Sequence, residues 1–120
     1  MAEASFDLNY TQEKLGEDLL TAITLPNNVN AANATTIRAQ LNEIIESNKT
    51  HIALELSDVK FMDSMGLSVL ISSLRACRTL EKRLGLIGMS KQVQLLFSVT
   101  GMESVFEIYS SLEDFKASLE

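Results

Sequence analysis

Ser57-Asp58-Val59-Lys60-Phe61-Met62-Asp63-Ser64-Met65-Gly66 joins an apolar, strand-like run to the longest amphipathic stretch in the chain. Before it, Ile52, Leu54 and Leu56 alternate, with the small Ala53 suited to being covered on the opposite face. After it, Leu67, Leu70, Ile71, Leu74 and Cys77 recur at helical spacing, which predicts a helix from about Met65 to about Leu80. The segment is therefore a strand-to-helix turn carrying a carboxylate and a hydroxyl. Such a turn offers the first free backbone N–H groups of a helix, so it suits capping, anion binding or covalent phosphate chemistry.

Working towards the N-terminus, Asn30 or Asn33 is placed to cap a helix whose apolar stripe is Ala34, Ile37, Leu41, Ile44 and Ile45. Ser47-Asn48-Lys49-Thr50 closes that helix. Pro26 and Asn27-Asn28 end a preceding strand built on Leu19, Thr21, Ile23 and Leu25. Phe6, Leu8 and Tyr10 alternate as a first strand, and Gln12 to Glu17 read as the turn of an antiparallel hairpin. Towards the C-terminus, Leu84 to Gly88 form a short strand. Ser90 caps a helix with Val93, Leu96 and Phe97 inward, which stops near Gly101. Val105, Phe106 and Ile108 suggest a fifth strand, and Ser110 or Ser111 starts a last helix through Leu112, Phe115 and Leu119. A leading hairpin followed by strands alternating with helices predicts an α/β fold. It has a mixed sheet of about five strands packed by about four helices. No linker, internal repeat or low-complexity segment divides residues 1–120, so one domain is expected.

Composition narrows the function classes. A net charge of −6 disfavours nucleic acid and anionic membrane surfaces as partners. Arg75, Arg78, Lys82 and Arg83 are expected to form one solvated helix flank. The longest apolar runs fall well short of a membrane span, and Met1-Ala2-Glu3-Ala4-Ser5 lacks the basic start of a secretory signal, so a cytoplasmic location is expected. Cys77 is the only cysteine, which fits a reducing compartment.

Chemistry is narrowed by reach. His51 opens the third strand and Ser64 lies beyond its far end, so six or seven extended residues hold them roughly 20 Å apart. That separation excludes a hydrogen-bonded Ser–His pair. One Cys and one His make no thiolate or imidazole metal cluster. Gly85-Leu86-Ile87-Gly88 has neither dinucleotide nor P-loop spacing, and its glycines are expected to ease close packing. Met62, Met65, Met89 and Met102 read as adaptable filler, although Met62, Met65 and Met102 also suit a plastic partner surface. Asp63-Ser64-Met65-Gly66 keeps two readings open: a helix cap, or an exposed serine that is phosphorylated. Nothing here implies a cofactor, a metal or a free-standing enzyme.

The residues Leu54 to Leu67, and above all Phe61-Met62-Asp63-Ser64-Met65-Gly66-Leu67, resemble the signature of the STAS family, the sulfate-transporter and anti-sigma-factor-antagonist domain. Leu95-Leu96-Phe97-Ser98-Val99-Thr100-Gly101-Met102 resembles the family's second characteristic segment. The resemblance implies an anti-sigma factor antagonist acting by partner switching. Its unmodified form binds an anti-sigma factor that is itself a serine kinase, and so frees a sigma factor. Phosphorylation of the serine after the Asp, here Ser64, releases it, and a serine phosphatase restores it. ATP then belongs to the partner. Asp63, Ser64, Met65, Gly66 and Asn30 are the implied partner-binding positions. Two of them depart from the family pattern. Met65 stands where a second Ser or Thr is usual, and Asn30 stands for an Asp in the Gly-acid-x-Asp stretch.

The alternative is a non-switching STAS subunit, for instance of a membrane lipid-transport complex, with Ser64 only a cap. A phosphoacceptor receiver domain would need an acidic pair after the first strand. The chain has Thr11-Gln12-Glu13-Lys14 there, followed by a second strand in place of a helix.

Overall fold

The computed structural model describes residues 7–47 and 50–120. β1 (Asn9–Leu15) and β2 (Asp18–Thr24) pair antiparallel with Leu15 opposite Asp18. The hairpin turn is thus Gly16-Glu17, tighter than the Gln12 to Glu17 loop read from the sequence. Gly16 makes this possible by adopting φ +65°. Two polar residues of β1 are tied in by side-chain contacts. Gln12 Nε2 donates to Thr21 Oγ1 across the ladder at 3.1 Å, and Glu13 pairs with Lys116 Nζ at 2.9 Å. Leu8 is buried just ahead of the strand, whereas Phe6 lies outside the described residues.

β4 (Thr50–Glu55), β6 (Leu84–Ile87) and β7 (Glu107–Tyr109) complete a five-stranded sheet in the order β1-β2-β4-β6-β7, parallel from β2 onwards. The crossovers run through α1 (Ala34–Ser47), α2 (Ser64–Thr79) and α3 (Lys91–Thr100), and each advances one strand in the same direction. Right-handed connections of that kind place all three helices on one face. There Ile37, Leu41, Leu70, Cys77, Val93 and Phe97 are buried with Ile23, Ile52, Leu54 and Leu86 in one cluster. Burial pushes the Cys77 thiol up to about 11, which makes it an inert core residue.

Among the described residues, α4 (Leu112–Leu119) covers the other face, with Phe115 against Leu20, Ala53 and Ile87. A Cβ at Gly85 would stand 2.8 Å from the Phe115 ring, so this glycine does permit close packing, as expected. The fifth strand is displaced by two residues from its predicted start. Phe106 leaves the sheet to pack on Phe97, ring centroids 5.5 Å apart, and β7 begins only at Glu107. Ser90 and Ser111 cap α3 and α4, accepting from Val93 N–H and Asp114 N–H, and Gly101 ends α3 at φ +73°.

Two features escape the sequence reading. β3 (Asn28–Val29) and β5 (Phe61–Met62) form a separate parallel ladder of two residues each. The basic cluster is divided: Arg75 and Arg78 are exposed on α2, but Lys82 Nζ donates to the Ile45 carbonyl near the end of α1, and Arg83 grips Glu107. Among the described residues no helix is long and apolar enough to cross a membrane.

Candidate functional site

The small β3–β5 ladder builds the site. It holds the loop after β3 against the start of α2, so that Asn30 and Asp63 come together although 33 positions separate them in the sequence. Asp63 N–H donates to the Val29 carbonyl at 3.3 Å. Its Oδ2 accepts from Ala31 N–H at 3.1 Å and its Oδ1 from Gly66 N–H at 2.9 Å. Asp63 is therefore both the N-cap of α2 and the clasp between two loops. These N–H groups, Gly66 first, hold its carboxyl below the usual carboxylate range.

Ser64 is the first residue of α2, one earlier than the helical spacing suggested. With the cap supplied by Asp63, Ser64 is exposed and its hydroxyl makes no hydrogen bond among the described residues. The two readings of the turn thus fall on different residues. Asp63 caps, and Ser64 is left presented to solvent.

Gly66 is held to glycine by its surroundings. A Cβ there would lie 2.1 Å from the Val29 carbonyl oxygen. Met65 is 46% exposed, as is Phe61, so apolar side chains flank Ser64 on the surface. Met62 is core at 1% exposure and Met102 is half-buried, which narrows the expected plastic methionine surface to Met65.

Asn30 shapes the adjoining loop. Its Oδ1 accepts from Ala32 N–H at 2.9 Å and its carbonyl from the N–H groups of Asn33 and Ala34. Asn33 turns its side chain back, donating from Nδ2 to the Asn28 carbonyl and accepting at Oδ1 from Asn30 N–H. Neither asparagine side chain caps α1, contrary to expectation, because both are engaged within the loop that meets Asp63.

Three residues of the neighbourhood carried no sequence signal. Gln92 on α3 closes the free edge of β5 as a third strand would, accepting from Met62 N–H at 2.8 Å and donating to the Met62 carbonyl at 2.9 Å. Ser68 Oγ donates to the Met65 carbonyl at 2.6 Å, and Arg38 Nη2 donates to Ser68 Oγ at 3.3 Å. His51 sits at the opposite end of β4. Its Nδ1 accepts from Arg83 N–H at 3.1 Å and its Nε2 faces Asp18 Oδ2 at 3.6 Å. Among the described residues no group of three His, Cys, Asp or Glu side chains is placed to hold a metal.

Comparison with known families now decides the kinship: the STAS domain matches residues 12–115. The chain belongs to the STAS domain family. Within that family it is 33% identical over 57 residues to the anti-sigma-B factor antagonist of Listeria monocytogenes, a match covering 48% of this chain and 50% of the relative. The matched region thus spans about half the length of that curated relative. An anti-sigma-factor antagonist (STAS) domain protein from Planctomyces limnophilus has the same fold, with a TM-score of 0.81 at 16% identity over 94% of this chain and 97% of its own. The Bacillus cell fate determinant SpoIIAA in its phosphorylated form superposes at a TM-score of 0.67 with 18% identity, over 93% and 100% of the two chains. At these identities the structural likenesses establish the STAS fold: the mixed five-stranded sheet and four helices expected from the element order.

Proposed function

We propose that this STAS protein is an anti-sigma factor antagonist that works by partner switching. Its unphosphorylated form binds an anti-sigma factor with serine kinase activity and so frees a sigma factor. Phosphorylation of Ser64 releases the complex, and a serine phosphatase resets it. The chain acts as a regulatory binding protein in the cytoplasm, and the partner supplies ATP.

One observation carries this reading. Ser64 is exposed and unbonded at the first residue of α2 while Asp63 supplies the cap, so the hydroxyl is accessible and the helix does not depend on it. The apolar side chains of Phe61 and Met65 lie beside it on the surface, as a docked partner requires. α3 packs on β5 through Gln92, and its outer face adds the exposed Leu95 and Val99. A phosphate at Ser64 places about two negative charges at the edge of this apolar surface, where desolvation and repulsion oppose docking. The names of the relatives point the same way.

The test is a pull-down with the cognate kinase. Ser64→Ala is expected to bind constitutively and Ser64→Asp to bind poorly. Equal binding by the two variants would overturn the reading and favour a non-switching STAS subunit in which Ser64 serves no regulatory role.

A further inference from the structure

We infer that Arg38 is the internal counter-ion of phosphorylated Ser64, an inference that rests on the functional reading above. Arg38 lies on α1 and is half-buried against α2, yet among the described residues no carboxylate lies within ion-pair distance of it. Its Nε is buried without any hydrogen-bond partner. Among the described residues its one polar contact is Nη2 to Ser68 Oγ at 3.3 Å. A buried donor on a permanently charged group, left unsatisfied, is costly unless an anion arrives to meet it.

Ser64 is where that anion forms. Ser64 and Ser68 stand at i and i+4 on α2, so they are neighbours on one helix face roughly 6 Å apart. A guanidinium touching Ser68 Oγ is therefore one turn from the Ser64 hydroxyl, and a phosphoryl group projects three acceptor oxygens into the interval. The planar fork of Arg38 suits bidentate contact with phosphate.

The helix itself offers a phosphate less than its position suggests. The Gly66 N–H is already committed to Asp63, whose carboxylate repels a second anion next to it. The first turn of α2 holds no cation of its own. Arg38 from α1, Asp63 at the cap and Lys60 before β5 are the charged groups to weigh around Ser64. Of the two cations, Arg38 is the one with a contact on the same helix face as Ser64, through Ser68.

Phosphorylation thus converts an under-satisfied arginine into an α1–α2 clasp. The phosphorylated form becomes the more rigid of the two at the partner-binding end.

The test uses full-length protein carrying phosphoserine incorporated at position 64 during translation, so that it does not depend on any kinase. Phosphorus NMR titration should give a second phosphate ionisation below its ordinary value of about 6. In Arg38→Gln it should rise by about one pH unit. Arg38→Lys should recover part of the difference, whereas Lys60→Gln should leave the wild-type value in place. Thermal melting should show the phosphate stabilising wild type and not Arg38→Gln, with unphosphorylated Arg38→Gln compared to confirm folding. Identical titrations in wild type and Arg38→Gln, or an equal rise in Lys60→Gln, would overturn the assignment. Failure of the functional reading is seen separately, as absence of phosphate on Ser64 in the host, and leaves this titration to succeed or fail on its own.

Discussion

The two ends of the parallel strands are built on opposite rules. At the end where β4, β6 and β7 begin, polar groups are matched to one another. Arg83 Nε and Nη2 hold both oxygens of Glu107 at 3.0 and 2.5 Å, Tyr109 OH donates to the same carboxylate at 2.8 Å, and Arg83 also reaches Ser118 on α4. His51 bridges the Arg83 backbone and Asp18. Nearby, the buried Thr21 and Thr50 hydroxyls bond to each other at 2.7 Å. At the other end, among the described residues, Ser64 has no side-chain partner, Arg38 has no carboxylate, and Phe61 and Met65 are exposed. A closed network stabilises the fold. Groups left open beside the Asp63 clasp are available to a partner or a modification. Asp63 separates the roles at the open end, because it holds the loops so that Ser64 need not.

The open end is most sensitive at Gly66. In Gly66→Ala the new methyl meets the Val29 carbonyl, and the expected loss is about 3 kcal/mol in chemical denaturation. This outweighs the gain of about 1 kcal/mol in helix propensity. Partner binding should fall with it, since the clasp and the surface share this contact. The next largest effect lies at the closed end. Arg83→Ala should cost about 1 kcal/mol, modest because the pair is about a third exposed, and leave partner binding unchanged.

Acid sharpens the same contrast. The Arg83 guanidinium holds the Glu107 carboxyl below its ordinary value of 4.5, so the stability it confers is complete above that value and is lost as the pH falls through the lowered one. Asp63, lowered from 3.8 chiefly by the Gly66 N–H, behaves likewise in a more acidic window. Glu55 runs the other way. Burial, reinforced by Asp58, raises its carboxyl, so the cost of its charge is relieved on acidification. Denaturation midpoints of wild type and Glu107→Gln are therefore expected to differ at pH 7 and to converge as the pH falls through the lowered Glu107 value. A gap that persists in acid would show that the pair does not act through the carboxylate charge. The smallest stability effect is at Ser64. Ser64→Ala should lie within about 0.5 kcal/mol of wild type while abolishing phosphate-dependent release.

Much of this was legible in the chain. Periodicity located all four α-helices and the leading hairpin, because each helix buries an apolar stripe against the sheet, α1 to α3 on one face and α4 on the other. What it missed has physical causes. β3 and β5 are two residues each, too short to show a period, and Gln92 supports β5 through a side-chain amide that no pattern foretells. β1 was cut short because Gln12 and Glu13 are polar, yet an edge strand can keep such residues when a cross-strand hydroxyl and an α4 lysine meet them. At the site, Asp63, Ser64 and Gly66 were readable from one stretch. Arg38 was not, since only the packing of α1 on α2 brings it to Ser68.

The central claim is that Ser64 is the regulated group at the open end. The direct measurement is intact mass with site mapping on protein purified from its own host, with and without stress. A single phosphate on Ser64, with occupancy that changes with stress, is the predicted result. Phosphate confined to another residue, or protein unmodified in both states, would contradict it.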